Sequence, residues 1–347
     1  MLLSTVGEYK RADSGSDIST SPTSRSSISG DSEGFHRTDA PVWHDVRRKE
    51  MLKLYPEIQS LYGYDHWSAV FCTATVFLQF LGVYLCRDLP FPYLLMATYV
   101  FSGTLNHSLV LALHEISHNT FFKSPLANKW FGFFANLPIG LPMSITFKRY
   151  HNEHHWGLAV EGVDLDLPTA TEARVFNSKF GRFFWMLLQP LFYTLRPVFV
   201  KPKSITFDEV INWVIQMIFD FFVVYFFGAH GIFYLLGGAI LGMGFHPISG
   251  HFIAEHYEFF PNQETASYYG WGNWITYNVG WHVEHHDFPR IPGRLLPKLH
   301  AIAPEFYKNL KSHKSWSGVL WNFCFGGKVT LWNRIVRESP QGRVKVH

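Results

Sequence analysis

Four stretches of almost unbroken apolar residues stand out along the chain, at roughly 67–86, 93–113, 209–228 and 231–250. Each approaches the length of about 20 residues that a helix needs to cross a hydrocarbon layer about 30 Å thick. Arg87-Asp88-Leu89-Pro90-Phe91-Pro92 joins the first two, and little more than Gly228 to Gly231 joins the last two. Connections that short return the chain to the side it left, so the pattern predicts two helical hairpins. Two further apolar stretches, Phe131–Phe147 and Phe183–Val200, are interrupted by Pro138, Gly140 and Pro142, and by Pro190, Arg196 and Pro197. Breaks of that kind favour interfacial or re-entrant segments. Read instead as a third hairpin, they raise the crossings from four to six. The expected fold is an all-α integral membrane protein with four transmembrane helices, and six as the alternative.

The polar segments complete this layout. Residues 1–38 hold ten serines and no apolar period, which predicts a disordered tail. In residues 39–66, Arg47, Arg48, Lys49 and Lys53 alternate with Met51, Leu52, Leu54 and Ile58, as in an amphipathic helix lying on a membrane surface. The membrane domain is expected over 67–325, followed by a C-terminal tail over 326–347. The hairpin loops carry one basic residue, Arg87, whereas ten lie between Lys123 and Lys203. By the positive-inside rule, both termini and the middle segment face the cytosol.

Composition narrows the class. Only 16% of residues are charged, against roughly a quarter in soluble domains. The net charge of +3 is small and dispersed, which argues against a nucleic-acid partner. Cys72 and Cys86 would lie about 21 Å apart on a helix, too far for a disulfide. Three cysteines and no Cys-x-x-Cys pair argue against a thiolate metal site as well. No signal-peptide pattern is expected at the start.

The nineteen histidines change the picture, because they cluster. His114-Glu115-Ile116-Ser117-His118 follows the second apolar stretch. His151-Asn152-Glu153-His154-His155 lies in the middle segment, and His282-Val283-Glu284-His285-His286 lies beyond the fourth stretch. Positions i and i+4 share a helix face, and i, i+3, i+4 form a triangle. Two hairpins bring all three clusters to one membrane boundary, as a histidine-rich cap. Imidazoles packed so closely repel if charged and go unsatisfied if neutral and buried, whereas a metal ion takes their lone pairs.

Zinc saturates with four ligands, three of them protein in a catalytic site. Eight nitrogens from His114, His118, His151, His154, His155, His282, His285 and His286 suit two ions with open positions. An imidazole-rich set without thiolates or dense carboxylates points to iron. His256 is the expected ninth ligand, His251 a further candidate, and His107 a weaker one. Ligating histidines pass their second N–H to a carboxylate or carbonyl, a role expected for Asp164 and Glu284. Glu115, Glu153, Asp166 and Asp287 also lie nearby.

At these clusters the sequence resembles the membrane fatty-acid desaturase and hydroxylase superfamily with its three histidine boxes. The resemblance runs from about Asp39 to Leu310 and is nearest to the sphingolipid delta-4, or dihydroceramide, desaturases. Trp43-His44-Asp45-Val46-Arg47-Arg48, Phe134-Ala135-Asn136-Leu137-Pro138-Ile139-Gly140, Gly162-Val163-Asp164-Leu165-Asp166 and His246-Pro247-Ile248-Ser249-Gly250-His251-Phe252 carry it between the boxes. It implies a two-iron enzyme of the endoplasmic reticulum membrane. Such an enzyme uses O2 to form the trans C4–C5 double bond of dihydroceramide, with C4-hydroxylation as the alternative outcome. Electrons would come from NADH through a reductase and cytochrome b5. The haem signature His-Pro-Gly-Gly is absent, His246-Pro247 being followed by Ile248, so that donor is expected to be a separate protein. Relatives beginning Met-Gly can be myristoylated; Leu2 here implies the loss of that anchor. The stretches 136–140 and 246–256 are expected to line the substrate channel. Rival readings are an intramembrane zinc protease built on His114-Glu115-x-x-His118, a non-catalytic metal-binding membrane protein, and alkane or carotenoid hydroxylation.

Overall fold

The computed structural model describes residues 34–338. In chain order they form β1 (His36–Thr38), α1 (Trp43–Leu54), α2 (His66–Cys86), α3 (Phe91–Ala97), α4 (Gly103–Ser117), α5 (Pro125–Asn136), α6 (Ser144–Trp156), α7 (Ala170–Val175), α8 (Lys179–Leu187), α9 (Gln189–Val200) and α10 (Phe207–Met243). Beyond these come α11 (His251–Ala254), β2 (Ser267–Tyr268), α12 (His282–Asp287), α13 (Leu296–Ile302), β3 (Ser312–His313), α14 (Trp316–Trp321) and β4 (Ile335–Arg337). A π-helical turn, Thr98–Ser102, joins α3 to α4.

Among the described residues, three helical segments are long and apolar enough to cross a membrane: His66–Cys86, Phe91–Ser117 and Phe207–Ala254, or up to five if each bent pair is one span. Their outward faces carry Phe77, Leu85, Met217, Phe221 and Phe226, all strongly exposed, as lipid-facing side chains are. The last segment has 48 residues. Fully helical, it would run about 72 Å, more than twice the hydrocarbon thickness. It breaks at Gly228, where φ is 63° and ψ is −159°, a conformation open mainly to glycine. Residues on its two arms then meet the same neighbours. Gln216 donates to the Leu137 carbonyl (2.9 Å), and Leu236 packs on Gly140 three residues further along. A straight helix would hold 216 and 236 about 30 Å apart.

Both other apolar stretches are broken helices. α5 and its 3-10 extension to Ile139 bend by 110° into α6, and α8 bends by 77° into α9. Pro138, Gly140 (φ 75°) and Pro142 make the first break, as their backbone preferences require.

Small residues let the helices approach closely. A Cβ on Gly242 would lie 2.4 Å from the Gly103 carbonyl oxygen, and one on Gly238 would lie 2.0 Å from Ser102 Oγ. Gly238 and Gly242 form a Gly-x-x-x-Gly face, the spacing that seats one membrane helix against another. Ser102 Oγ donates to the Tyr234 carbonyl (2.6 Å) and Asn106 Nδ2 to that of Leu235 (2.7 Å). Gly242→Val should therefore force α4 and α10 apart. The expected result is loss of monodisperse protein on size-exclusion chromatography in detergent; a normal profile would contradict this contact.

Three expectations need correction. The fold is not purely helical: β1 pairs in parallel with β4, and β2 with β3. Those pairings also move the boundaries, since residues 36–38 and 335–337 are packed rather than tail. Ile335 and Val336 are buried, and buried Arg334 and Arg337 pair with Asp166 (3.0 Å) and Glu264 (2.7 Å). The disorder expected before Gly34 lies outside the described residues. Finally, the apolar positions of the 39–66 segment are not all free to meet lipid. Met51 and Ile58 are fully buried with Val283, Phe288 and Leu299, so the protein covers part of the apolar face.

Candidate metal centre

Helical geometry sorts the histidines into two groups. α4 supplies His114 and its cap residue His118. From α6, His151 and His155 share one face while His154 points about 60° from the first and about 100° from the second. On α12 the split is reversed, with His282 and His286 together and His285 apart. The result is one group of five, His114, His118, His151, His155 and His285, and one of four, His154, His256, His282 and His286. Within each group the ligand nitrogens all lie within 4.8 Å of one another. All nine expected residues are thus brought together, His256 reaching in from just beyond α11. The groups adjoin, with His155 and His286 stacked at 4.3 Å between ring centres.

The nitrogens converge head-on. His151 Nε2 lies 2.9 Å from that of His118 and 3.0 Å from that of His155, which lies 3.1 Å from that of His285. In the other group His256 Nε2 stands 3.1 Å from His154 Nε2 and 3.0 Å from His282 Nε2. The buried Nε2 atoms of His114 and His286 have no hydrogen-bond partner among the described residues. One N–H per ring cannot satisfy such a cluster. Two nitrogens bound at right angles to one ion, each about 2.1 Å away, stand about 3.0 Å apart. Burial first, and neighbouring imidazoles second, hold His256, His282, His285 and His286 well below the ordinary histidine range. They are neutral at pH 7, the form that binds a metal. The residues fit a pair of ions.

The supporting carboxylates only partly match expectation. Asp164 accepts from His154 Nδ1 (2.8 Å) as expected, and is itself fixed by the Ala159 N–H (2.7 Å). Glu284 does not reach a clustered histidine. It accepts from Ser267 (2.8 Å), Tyr269 (2.9 Å) and His300 (2.6 Å), because its side chain leaves α12 on the side away from the clusters. Glu255, which sequence reading missed, is the carboxylate beside His282, 3.4 Å from its Nδ1. Its place four residues after His251 and one before His256 was the available signal. His251 is not brought into either group: its nitrogens face Glu255 (2.8 Å) and His107 (2.8 Å), and His107 also bonds the Gly242 carbonyl (2.8 Å). Asp287, beside His286, accepts from His44 Nδ1 (2.7 Å) and Arg47 Nη2 (2.9 Å). Glu153 pairs with Lys201 and Lys203.

The protease reading fails on geometry. Glu115 is buried and already accepts from the Gly293 N–H (2.9 Å) and Thr120 (3.1 Å), so it is not free to activate water. His114 and His118 also share their site with three further imidazoles.

A cavity of about 300 Å³ opens beside His151 and His154. α6 lines it with Thr146, Phe147 and Tyr150, α9 with Pro190, Tyr193, Thr194 and Pro197, and α10 with Ala239, Ile240 and Met243. The α9 positions are spaced i, i+3, i+4 and i+7, and those of α6 and α10 i, i+1 and i+4, each a single helical stripe. Of the stretches expected to line a channel, 136–140 contributes Ile139 and 246–256 contributes nothing.

An apolar helical body carrying two imidazole groups beside an apolar cavity defines a membrane-bound lipid oxidoreductase. Residues 89–317 match the fatty acid desaturase family, to which the chain belongs. Residues 33–67 match the sphingolipid Delta4-desaturase family. Similar curated proteins include the sphingolipid delta(4)-desaturase DES1 of Drosophila melanogaster, 49% identical over 85% of this chain and 93% of that protein. The Homo sapiens DES1 is 48% identical over 87% and 94%. The sphingolipid delta(4)-desaturase/C4-monooxygenase DES2 of Rattus norvegicus is 48% identical over 85% and 92%.

Proposed function

We propose that the chain is a sphingolipid delta(4)-desaturase that converts dihydroceramide to ceramide by forming a trans double bond between C4 and C5 of the sphingoid base. The observation that carries this reading is near-complete coverage of the delta(4)-desaturases at 48–49% identity. The convergence of nine histidines in two groups supports two non-haem irons as the cofactor. Iron in these positions would supply what no side chain can, oxidation of an unactivated methylene pair by O2. The reaction balances as one O2, two electrons and two protons consumed, two hydrogens removed from the lipid, and two waters formed.

The chain's own residues then have definite tasks. Asp164 fixes the ring of His154, and Glu255 stands against that of His282, which sets their orientation. The apolar walls from α6, α9 and α10 hold a lipid chain straight and exclude water. Four crossings, with the arms of α10 folded back at Gly228, put the histidines, the basic middle segment and both termini on the cytosolic side of the endoplasmic reticulum. A separate cytochrome b5, reduced from NADH by its reductase, could reach them there. The DES2 name, desaturase/C4-monooxygenase, gives a second reading its basis: some substrate leaves as the 4-hydroxylated base.

The test is a product assay in membranes from cells that lack their own sphingolipid desaturase. Dihydroceramide, free sphinganine and a long-chain acyl-CoA are each supplied with NADH and O2. The expected product is ceramide with a 4,5-trans double bond, accompanied by at most a minor 4-hydroxylated base. Desaturated acyl-CoA with no ceramide would overturn the substrate assignment.

A further inference from the structure

The cavity walls are mostly apolar, but Thr146, Tyr150, Asp166, Tyr193 and Thr194 line them together with His151 and His154. Three of these hydroxyls donate their protons within the protein. Thr146 donates to Glu209 (2.9 Å), Tyr150 to the Lys201 carbonyl (2.9 Å), and Thr194 to the Pro190 carbonyl (2.7 Å). Two groups keep free capacity. The Tyr193 hydroxyl has no hydrogen-bond partner among the described residues, although Tyr193 lies in the wall. Asp166 Oδ2 is buried 3.0 Å from Arg334 as an ion pair, yet it has no hydrogen-bond partner among the described residues. The ion pair with Arg334 fixes that carboxylate in place. The Asp166 N–H also donates to Asp164 Oδ1 (2.9 Å), the oxygen that receives His154 Nδ1. One hydrogen bond therefore ties Asp166 to the metal side of the cavity.

We propose that Asp166 and Tyr193 form a hydroxyl-binding subsite that selects lipids carrying an O–H on the carbon next to the reacting methylenes. The inference rests on the desaturase reading and extends it to the basis of substrate choice. In a sphingoid base the C3 hydroxyl is attached to the neighbour of C4, so when C4 stands at the histidines this hydroxyl must lie beside them. A hydroxyl buried there without a partner carries an uncompensated desolvation penalty, which disfavours any wall that is wholly apolar. The C3 hydroxyl donates to the Asp166 carboxylate, and the Tyr193 O–H donates to the hydroxyl oxygen. A plain acyl chain has no polar group at that place and leaves both protein groups desolvated and unpaired. Sites built this way reject an analogue without the hydroxyl far more strongly than an apolar wall rejects one methylene.

The experiment compares kcat/KM of the full-length enzyme in membranes for dihydroceramide and for its 3-deoxy analogue, in which hydrogen replaces the C3 hydroxyl. Wild type is expected to prefer dihydroceramide by at least about a hundredfold. Tyr193→Phe and Asp166→Asn should each shrink that preference by roughly 10- to 100-fold. Iron per chain is measured on each variant to show that the centre is intact. Tyr193→Phe removes only an oxygen without a partner among the described residues, so it retains the test if Asp166→Asn misfolds. An unchanged preference in Tyr193→Phe with normal iron overturns the subsite, as does a wild type that turns over both lipids equally. Wild type that forms no ceramide from dihydroceramide overturns the underlying desaturase reading instead.

Discussion

Replacing His285 by alanine is expected to abolish ceramide formation, a fall of at least roughly a thousandfold, the scale on which single members of a catalytic unit fail. His282→Ala should do the same through the other group. The two variants are predicted to share a second property that no general folding defect would give. Because His285 belongs to the group of five and His282 to the group of four, each should lose about one iron of the two expected in wild type. The rest of the molecule has no reason to change, since the rings meet one another rather than the apolar core. Metal analysis of detergent-purified protein, alongside turnover, checks both points. His285→Ala enzyme with full iron and substantial turnover would remove His285 from the ligand set and break the division into two groups. One zinc and no iron in wild type would remove the iron assignment altogether.

The five-and-four division was latent in the sequence. His-x-x-x-His puts two rings on one face and His-x-x-His-His sends a third to another, so the spacing encodes the split once the helices are placed. The spans were legible for the same reason, because their periodicity is local. The breaks at Pro138, Gly140 and Gly228 were legible because those residues restrict or free the backbone wherever they occur. Partner choice was not legible. Glu284 and Glu255 both sit beside clustered histidines, and only the orientation of α12 against β2 and α13 decides which one meets a ligand. Chemical type misled at α1 as well. Arg47 reads as a surface cation beside Arg48 and Lys49, but its partner is 240 positions away. The cavity was equally hidden, since α6, α9 and α10 each contribute one stripe and no single stretch reads as a channel.

Arg47→Met should destabilise the protein by about 3–5 kcal/mol, the usual cost of leaving one member of a buried ion pair alone. Arg47 and Asp287 side chains are 7% and 0% exposed, so water cannot replace the lost partner. The guanidinium donates Nε (3.1 Å) and Nη2 (2.9 Å) to Asp287, gives Nη1 to the Phe306 carbonyl (3.0 Å) and lies over the Trp43 ring at 4.4 Å. Burial alone would push the Asp287 carboxyl up; the Arg47 charge and His44 overcome this and hold it below the usual carboxylate range. A carboxylate with a depressed folded-state pKa contributes its stability above the unfolded pKa, near 4, and loses it as pH falls through the folded value. At neutral pH the contribution is present in full, and removal of Arg47 is felt in full. The midpoint of thermal unfolding in detergent should fall by roughly 10 °C. Asp287→Asn added to Arg47→Met removes the stranded charge, so the double variant should regain part of the loss, whereas independent sites would simply add. Because Asp287 adjoins His286, the single variant should also bind less iron. An Arg47→Met protein with an unchanged midpoint and full iron would show that α1 does not brace the third histidine cluster.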